Sequence, residues 1–186
     1  VRYTPIIGVL AESLYRSIFN LWRSRKNLVF YIKNKRYLSR NIELKNSERG
    51  EGLFVLACGP SINQQNLKPL KDELCISVNN FFVHPDFNII KPKYHIFPGS
   101  HSPLSDDQYV SWFQEAEKYF PKDQIVFVSV TDKYMVDNNK LFSNQKVYYY
   151  YSVGEKQIRD VVDMTKNMPA IDGIVQTAML VGFYLG

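Results

Sequence analysis

The residues best placed for chemistry lie where short apolar runs end. In LFVLACGPSINQQNLKPL, residues 53–70, an apolar run stops at Cys58-Gly59-Pro60-Ser61 and gives way to a polar stretch expected to be helical. Ligands bind at the carboxyl ends of parallel strands, where glycine lets them approach the backbone. Pro60 suits the first helical position because it has no N–H to leave unpaired, and the N–H groups beyond it can face an anion. The spacing is neither G-x-G-x-x-G nor a Walker A loop, so Cys58, Gly59, Pro60 and Ser61 read equally as a phosphate turn or as a plain strand-to-helix turn. A second run ends in Ser77-Val78-Asn79-Asn80. The carboxamides of Asn79 and Asn80 both donate and accept, which suits a ribose or a base, although turn chemistry with His84-Pro85-Asp86 explains them equally. A third run ends in Phe97-Pro98-Gly99-Ser100-His101. Gly99 and Ser100 would close the third side of one crevice, and His101 is the candidate general base, with a plain surface histidine as the alternative.

No metal site is expected from His84, His95 and His101, whose spacing is not that of a ligand cluster, and no Asp-x-Asp pair occurs. Cys58 and Cys75, the two cysteines, sit within apolar runs and read as reduced thiols in a cytoplasmic protein rather than as a disulfide framework.

The runs that must position these groups are Leu53–Ala57, Leu74–Val78, Tyr94–Phe97, Ile125–Val130 and Val147–Tyr151, each short, apolar and rich in β-branched or aromatic residues, and each expected to be a strand. Between the third and fourth, Ser105 followed three residues on by Gln108 makes a capping box. Asp106 and Asp107 suit the first turn, and Val110, Phe113, Ala116 and Phe120 supply a helical stripe that Pro121 ends. Strands alternating with helices imply an α/β fold, Rossmann-like, with a mostly parallel sheet covered by helices on both faces.

At 186 residues, with 45% hydrophobic and 22% charged residues, the chain is an ordinary globular sequence of one main domain. The net charge of +5 is unevenly placed: residues 1–50 hold 11 Lys or Arg against three acids, while the rest holds 12 against 15. A cationic excess confined to one end does not suggest nucleic acid. Instead, residues 1–50 read as a basic helical segment and linker (Asn41–Gly52), followed by a nucleotide-binding domain over residues 51–186. Leu10, Leu14, Ile18, Leu21, Leu28 and Ile32 fall on one helical face between about Ile6 and Leu38. That face either packs on the domain or a second subunit, as in a homo-oligomer, or lies on an anionic membrane with Trp22, Tyr31 and Tyr37 at headgroup level, on the inner face of the membrane. The longest apolar stretch, Ala178–Gly186, is far too short to span a bilayer. With Val1 rather than Met at its start and an apolar helix at its end, the chain is expected to be part of a longer protein, cut short at its carboxyl end.

Four segments together, ACGPSIN, LCISVNNFF, KPKYHIFPG and DGIVQTAMLVGFYLG, resemble the bacterial family 42 sialyltransferases and their clan, which includes motility accessory factors and the pterin-diphosphokinase-like domain of unknown function 115. The likeness spans about Gly52–Gly186. It implies a cytidine monophosphate sugar, sialic acid or a related nonulosonate, as substrate with no tightly bound cofactor and no metal. The acceptor would be a bacterial surface glycan or a flagellin precursor. Gly59, Pro60 and Ser61 would line the nucleotide site and Asn79 would bind the nucleotide. Cys58 stands where the family carries asparagine, and the family's histidine base and tyrosine-bearing lid lie beyond the matching segment, so the catalytic half is expected to be missing. A pterin pyrophosphokinase-like enzyme and a non-catalytic assembly module with a vestigial crevice are the alternatives.

Overall fold

In the computed structural model, which describes residues 4–152, 161–169 and 173–186, the expected α/β sheet forms. Among the described residues six parallel strands lie side by side in chain order: β1 (Phe54–Leu56), β2 (Cys75–Val78), β3 (Tyr94–Ile96), β4 (Ile125–Ser129), β5 (Lys146–Ser152) and β6 (Asn167–Met168). The helices are α1 (Thr4–Ser39), α2 (Phe87–Ile90), α3 (Asp106–Glu117), α4 (Lys133–Asn138) and α5 (Ile174–Leu185). The capping box at the start of α3 is formed in both directions: Ser105 Oγ accepts from Gln108 N–H, and Gln108 Oε1 accepts from Ser105 N–H at 2.9 Å.

Because side chains alternate along a strand, the sheet has two apolar faces. Ile76, Val78, Tyr94, Ile96, Phe127, Tyr148 and Tyr150 meet Leu44 and, from α5, Ala178, Val181, Tyr184 and Leu185. The intervening positions meet rings on the other face. His95 and Phe97 pack against Phe120, and Phe97 also packs against Phe113 of α3 and against Phe142. With the strands in simple sequence order, the connecting segments run over this aromatic face, while α5 returns across the opposite face to pack on β1 and β2. Both faces are thus covered, as the alternation of strands and helices implied.

The chain divides into two compact units, residues 1–35 and 36–186. The boundary expected near residue 50 therefore falls earlier, and Asn41–Gly52 is not a free linker. Arg40–Leu44 is a 3-10 turn fixed to the sheet domain. Leu38 and Asn41 are wholly buried, and Asn41 Nδ2 donates to the carbonyls of Tyr149 and Met164, each at 2.7 Å. Tyr184 donates its hydroxyl to the Asn41 carbonyl at 3.1 Å. Downstream, Glu48 accepts from Lys93 Nζ at 2.7 Å and from the Tyr94 hydroxyl at 2.5 Å. A segment that reads as polar and glycine-bounded is held because its polar side chains satisfy buried backbone groups.

Within residues 1–35, α1 is one continuous helix, and Leu14, Ile18, Leu21, Trp22, Leu28, Val29 and Ile32 are all exposed. Glu12 pairs with Arg16 at 2.6 Å, and the Lys26 ammonium lies 3.8 Å from the centre of the Trp22 ring. No helix among the described residues is long and apolar enough to cross a membrane.

Candidate functional site

At the carboxyl edge of the sheet a cleft of about 790 Å³ opens between the loops that follow the strands and the first turn of α5. A volume of this size suits a small-molecule ligand. Cys58 comes from the end of β1, Asn79 and Asn80 from the end of β2, and Pro98, Gly99 and His101 from the loop after β3. These six arrive from three neighbouring strands because the strands are parallel and in register, so their ends share one edge. The far side is made by Ser129, Tyr150 and Ser152 at the ends of β4 and β5, and by Gly173, which precedes α5, with Ile174 and Thr177 of its first turn.

Asn79 carries the most unusual geometry. Its φ of 51° lies in the left-handed region, which asparagine tolerates better than most residues, and its Oδ1 is buried with no hydrogen-bond partner. Asn80, beside it, accepts from Trp112 Nε1 at 2.6 Å. Gly99 lies against Ser129, and a methyl group in its place would stand 3.4 Å from Ser129 Cβ and Oγ.

Ser100 does not line the cleft. Its N–H and hydroxyl both donate, at 2.7 Å each, to the carboxylate of Asp132, which is wholly buried. Thr131 Oγ1 adds a third donor at 3.0 Å and is itself bonded to Ser129 Oγ at 2.7 Å. Burial pushes the Asp132 carboxyl above the usual carboxylate range, and the Ser100 and Thr131 donors work against that rise. Ser100 is thus a strut for the Gly99 loop. Asp132→Ala would strand the Ser100 N–H, and urea denaturation is expected to show a loss of about 1–3 kcal/mol. An unchanged midpoint would mean that another acceptor holds the loop.

His101 lies on the cleft, and its Nδ1 is 2.7 Å from the hydroxyl of buried Tyr109, which also accepts from the His101 N–H at 3.2 Å. The imidazole is therefore fixed through Nδ1, and Nε2 is the nitrogen left for a ligand. His95, by contrast, is sealed in the aromatic face with Nδ1 at 2.7 Å from Ser77 Oγ. His84 packs flat on Phe81.

Gly59, Pro60 and Ser61 are exposed and stand outside the cleft lining; of that turn only Cys58 reaches it. The stretch expected to be helical is a five-residue 3-10 turn, Pro60–Gln64. So short a turn has no aligned set of N–H groups to hold an anion. The lining residues that sequence reasoning missed include Tyr109, Trp112, Ser129 and Tyr150, with Leu104, Ser152, Ile174 and Thr177 beside them. Ser129 and Tyr150 each stand one residue before the end of an expected strand, so the carboxyl-edge rule could have found them. Tyr109 and Trp112, three apart on the first turns of the expected helix, share a face whose target was not visible. Comparison with protein-family models, with curated proteins and with solved structures finds no match to this chain.

Proposed function

We propose that residues 36–186 bind a nucleotide-activated sugar, a cytidine monophosphate nonulosonate, within a glycosyltransferase-like protein of the sialyltransferase clan that modifies a bacterial surface glycan or flagellin precursor. The observation that carries this reading is the convergence of Asn79, Asn80, Gly99 and His101 on one cleft, with Asn79 Oδ1 buried and unpaired. A buried acceptor without a donor is costly, and a turn of the Asn79 carboxamide towards the cleft would let a ligand amine or hydroxyl relieve it. The described lining offers amides, hydroxyls, a thiol, aromatic rings and one imidazole beside the aliphatic Leu104 and Ile174, groups that can hydrogen-bond a base, a ribose or a sugar. In the reaction, the acceptor oxygen bonds to the anomeric carbon as the bond from that carbon to the phosphate oxygen breaks. Cytidine monophosphate departs, and His101 Nε2 is the group on this chain placed to take the acceptor hydroxyl proton.

Calorimetric titration with cytidine monophosphate tests the reading. Asn79→Ala is expected to weaken binding about tenfold, roughly 1.4 kcal/mol and within the range for one or two ligand hydrogen bonds. Equal heats for the two proteins, or no preference for cytidine over other nucleotides, would remove it.

For residues 4–35 we infer a peripheral seat on an anionic membrane, such as the inner face of the bacterial membrane. The support is the coincidence of an exposed apolar series, Leu14 to Ile32, with seven Lys or Arg against one acid in residues 1–35.

A further inference from the structure

We infer that Trp112, backed by Phe113, flanked by Tyr109 and edged by Leu104, is a stacking platform for an uncharged sugar ring, and that it forms the acceptor side of the cleft. This rests on the nucleotide-sugar reading and names where the second substrate sits. Trp112, Tyr109 and Leu104 all line the cleft, yet they belong to α3 and the loop before it rather than to the strand ends that carry Asn79 and Ser129. Trp112 is fixed from behind and from the side. Its ring stacks on Phe113 at 5.9 Å and 25°, meets Phe97 edge-on at 5.0 Å and 82°, and is tied through Nε1 to Asn80 Oδ1 at 2.6 Å. Such a ring loses little freedom when a ligand stacks on it, because packing has already set its rotamer. Its electron-rich face attracts the partly positive C–H groups of a pyranose.

Polar groups that read hydroxyls surround this platform. Asn80 holds one amide oxygen on Trp112 Nε1, which fixes the carboxamide plane. His101 is tethered through Nδ1 and its own N–H to the Tyr109 hydroxyl, and Tyr109 is the neighbouring ring of the platform, 5.9 Å from Trp112. One helix thus carries both the stacking surface and the anchor of the candidate base. A sugar lying on Trp112 would have its hydroxyls beside His101, as an acceptor requires. Leu104, 45% exposed, extends the apolar edge to cover a second ring or the aglycone.

The chain has two tryptophans, so Trp22→Phe leaves Trp112 as the sole reporter. Titration of that variant of residues 1–186 with lactose and with N-acetylgalactosamine is expected to change Trp112 emission saturably, with a Kd on the order of 1 mM. In saturation-transfer NMR, Trp112→Ala should weaken sugar binding at least about tenfold, a loss of roughly 1.4 kcal/mol, and by more than it weakens the calorimetric response to cytidine monophosphate. No saturable response to either sugar, with nucleotide heats intact, would overturn the platform and leave the nucleotide reading standing. Sugar binding without nucleotide heats would keep the platform and sink the donor assignment. Quenching of Trp112 by cytidine monophosphate in competition with the sugars would give the ring to the base and overturn the inference.

Discussion

Removing residues 1–35 is expected to abolish flotation of the protein with anionic vesicles, whereas the full chain floats with them. Each cation close to an anionic surface contributes about 1 kcal/mol. The segment carries a net excess of six; if half of them engage, the partition coefficient rises on the order of 100-fold. The exposed side chains of Leu14, Ile18, Leu21, Trp22, Leu28 and Ile32 supply the apolar contact, and the Lys26 ammonium over the Trp22 ring keeps a charge beside the aromatic that would enter the headgroup layer. Binding should weaken as salt rises, because the Debye length contracts from about 10 Å at 0.1 M to about 3 Å at 1 M. It should also be weak on zwitterionic vesicles. Equal flotation of the full and shortened chains, or none on anionic vesicles, would refute the membrane seat. Self-association that depends on residues 1–35 would then assign the apolar stripe to a seam between helices of two copies.

The strands were legible because short runs of β-branched and aromatic residues bounded by polar turns have few other solutions, and α3 was legible from its capping box. Strand order was not, since nothing in Leu53–Ala57 or Leu74–Val78 says which run lies next to which. The consequence for the site is concrete. Asn79 and Gly99 could be placed at one edge from sequence, but the pairing of Ser77 with His95 depends on register, which sets those two residues directly opposite each other on β2 and β3. The Gly59-Pro60-Ser61 turn stood out through composition and resemblance, yet a 3-10 turn instead of an α-helix leaves it exposed and outside the cleft lining. Asp132 and Asn41 read as ordinary polar residues. Their importance comes from burial against distant backbone groups, at Ser100 for one and at Tyr149 and Met164 for the other, and no local pattern announces contacts so far apart in sequence.

The second large effect is acid sensitivity from a single histidine. His95 is wholly buried, with Phe97, Phe120 and Phe82 at ring-centre distances of 4.4, 4.7 and 6.1 Å. Its Nδ1 pairs with Ser77 Oγ, which is also 3.3 Å from the Tyr94 carbonyl, and its Nε2 has no hydrogen-bond partner. Burial in that ring cluster pushes its pKa down to about 3, with the Asn79 backbone acting in the opposite direction. In the unfolded chain the imidazole titrates near 6.5. The unfolded state therefore takes up the proton first, so the stability is whole above pH 6.5 and falls by about 1.4 kcal/mol for each pH unit below it. Glu48 and Asp163 also make the fold acid-labile. Burial raises both carboxyls, but hydrogen bonds from Lys93 and Tyr94 to Glu48, and from Thr165 and Lys166 to Asp163, outweigh it and hold both below their usual values. Their contribution is lost only as pH falls below the ordinary carboxylate range, about 4, and the Asp132 carboxyl, raised by burial, takes up its proton first in the folded state and so acts in the opposite sense; a net loss between pH 6.5 and 5 therefore comes from the histidine. Urea denaturation at pH 7 and pH 5 is expected to show a wild-type loss of roughly 2 kcal/mol. His95→Phe, which keeps a ring among rings and removes the titrating nitrogens, should show little of that loss. A wild-type protein equally stable at both pH values, or a His95→Phe variant with the same slope, would show that the acid response originates elsewhere in the fold.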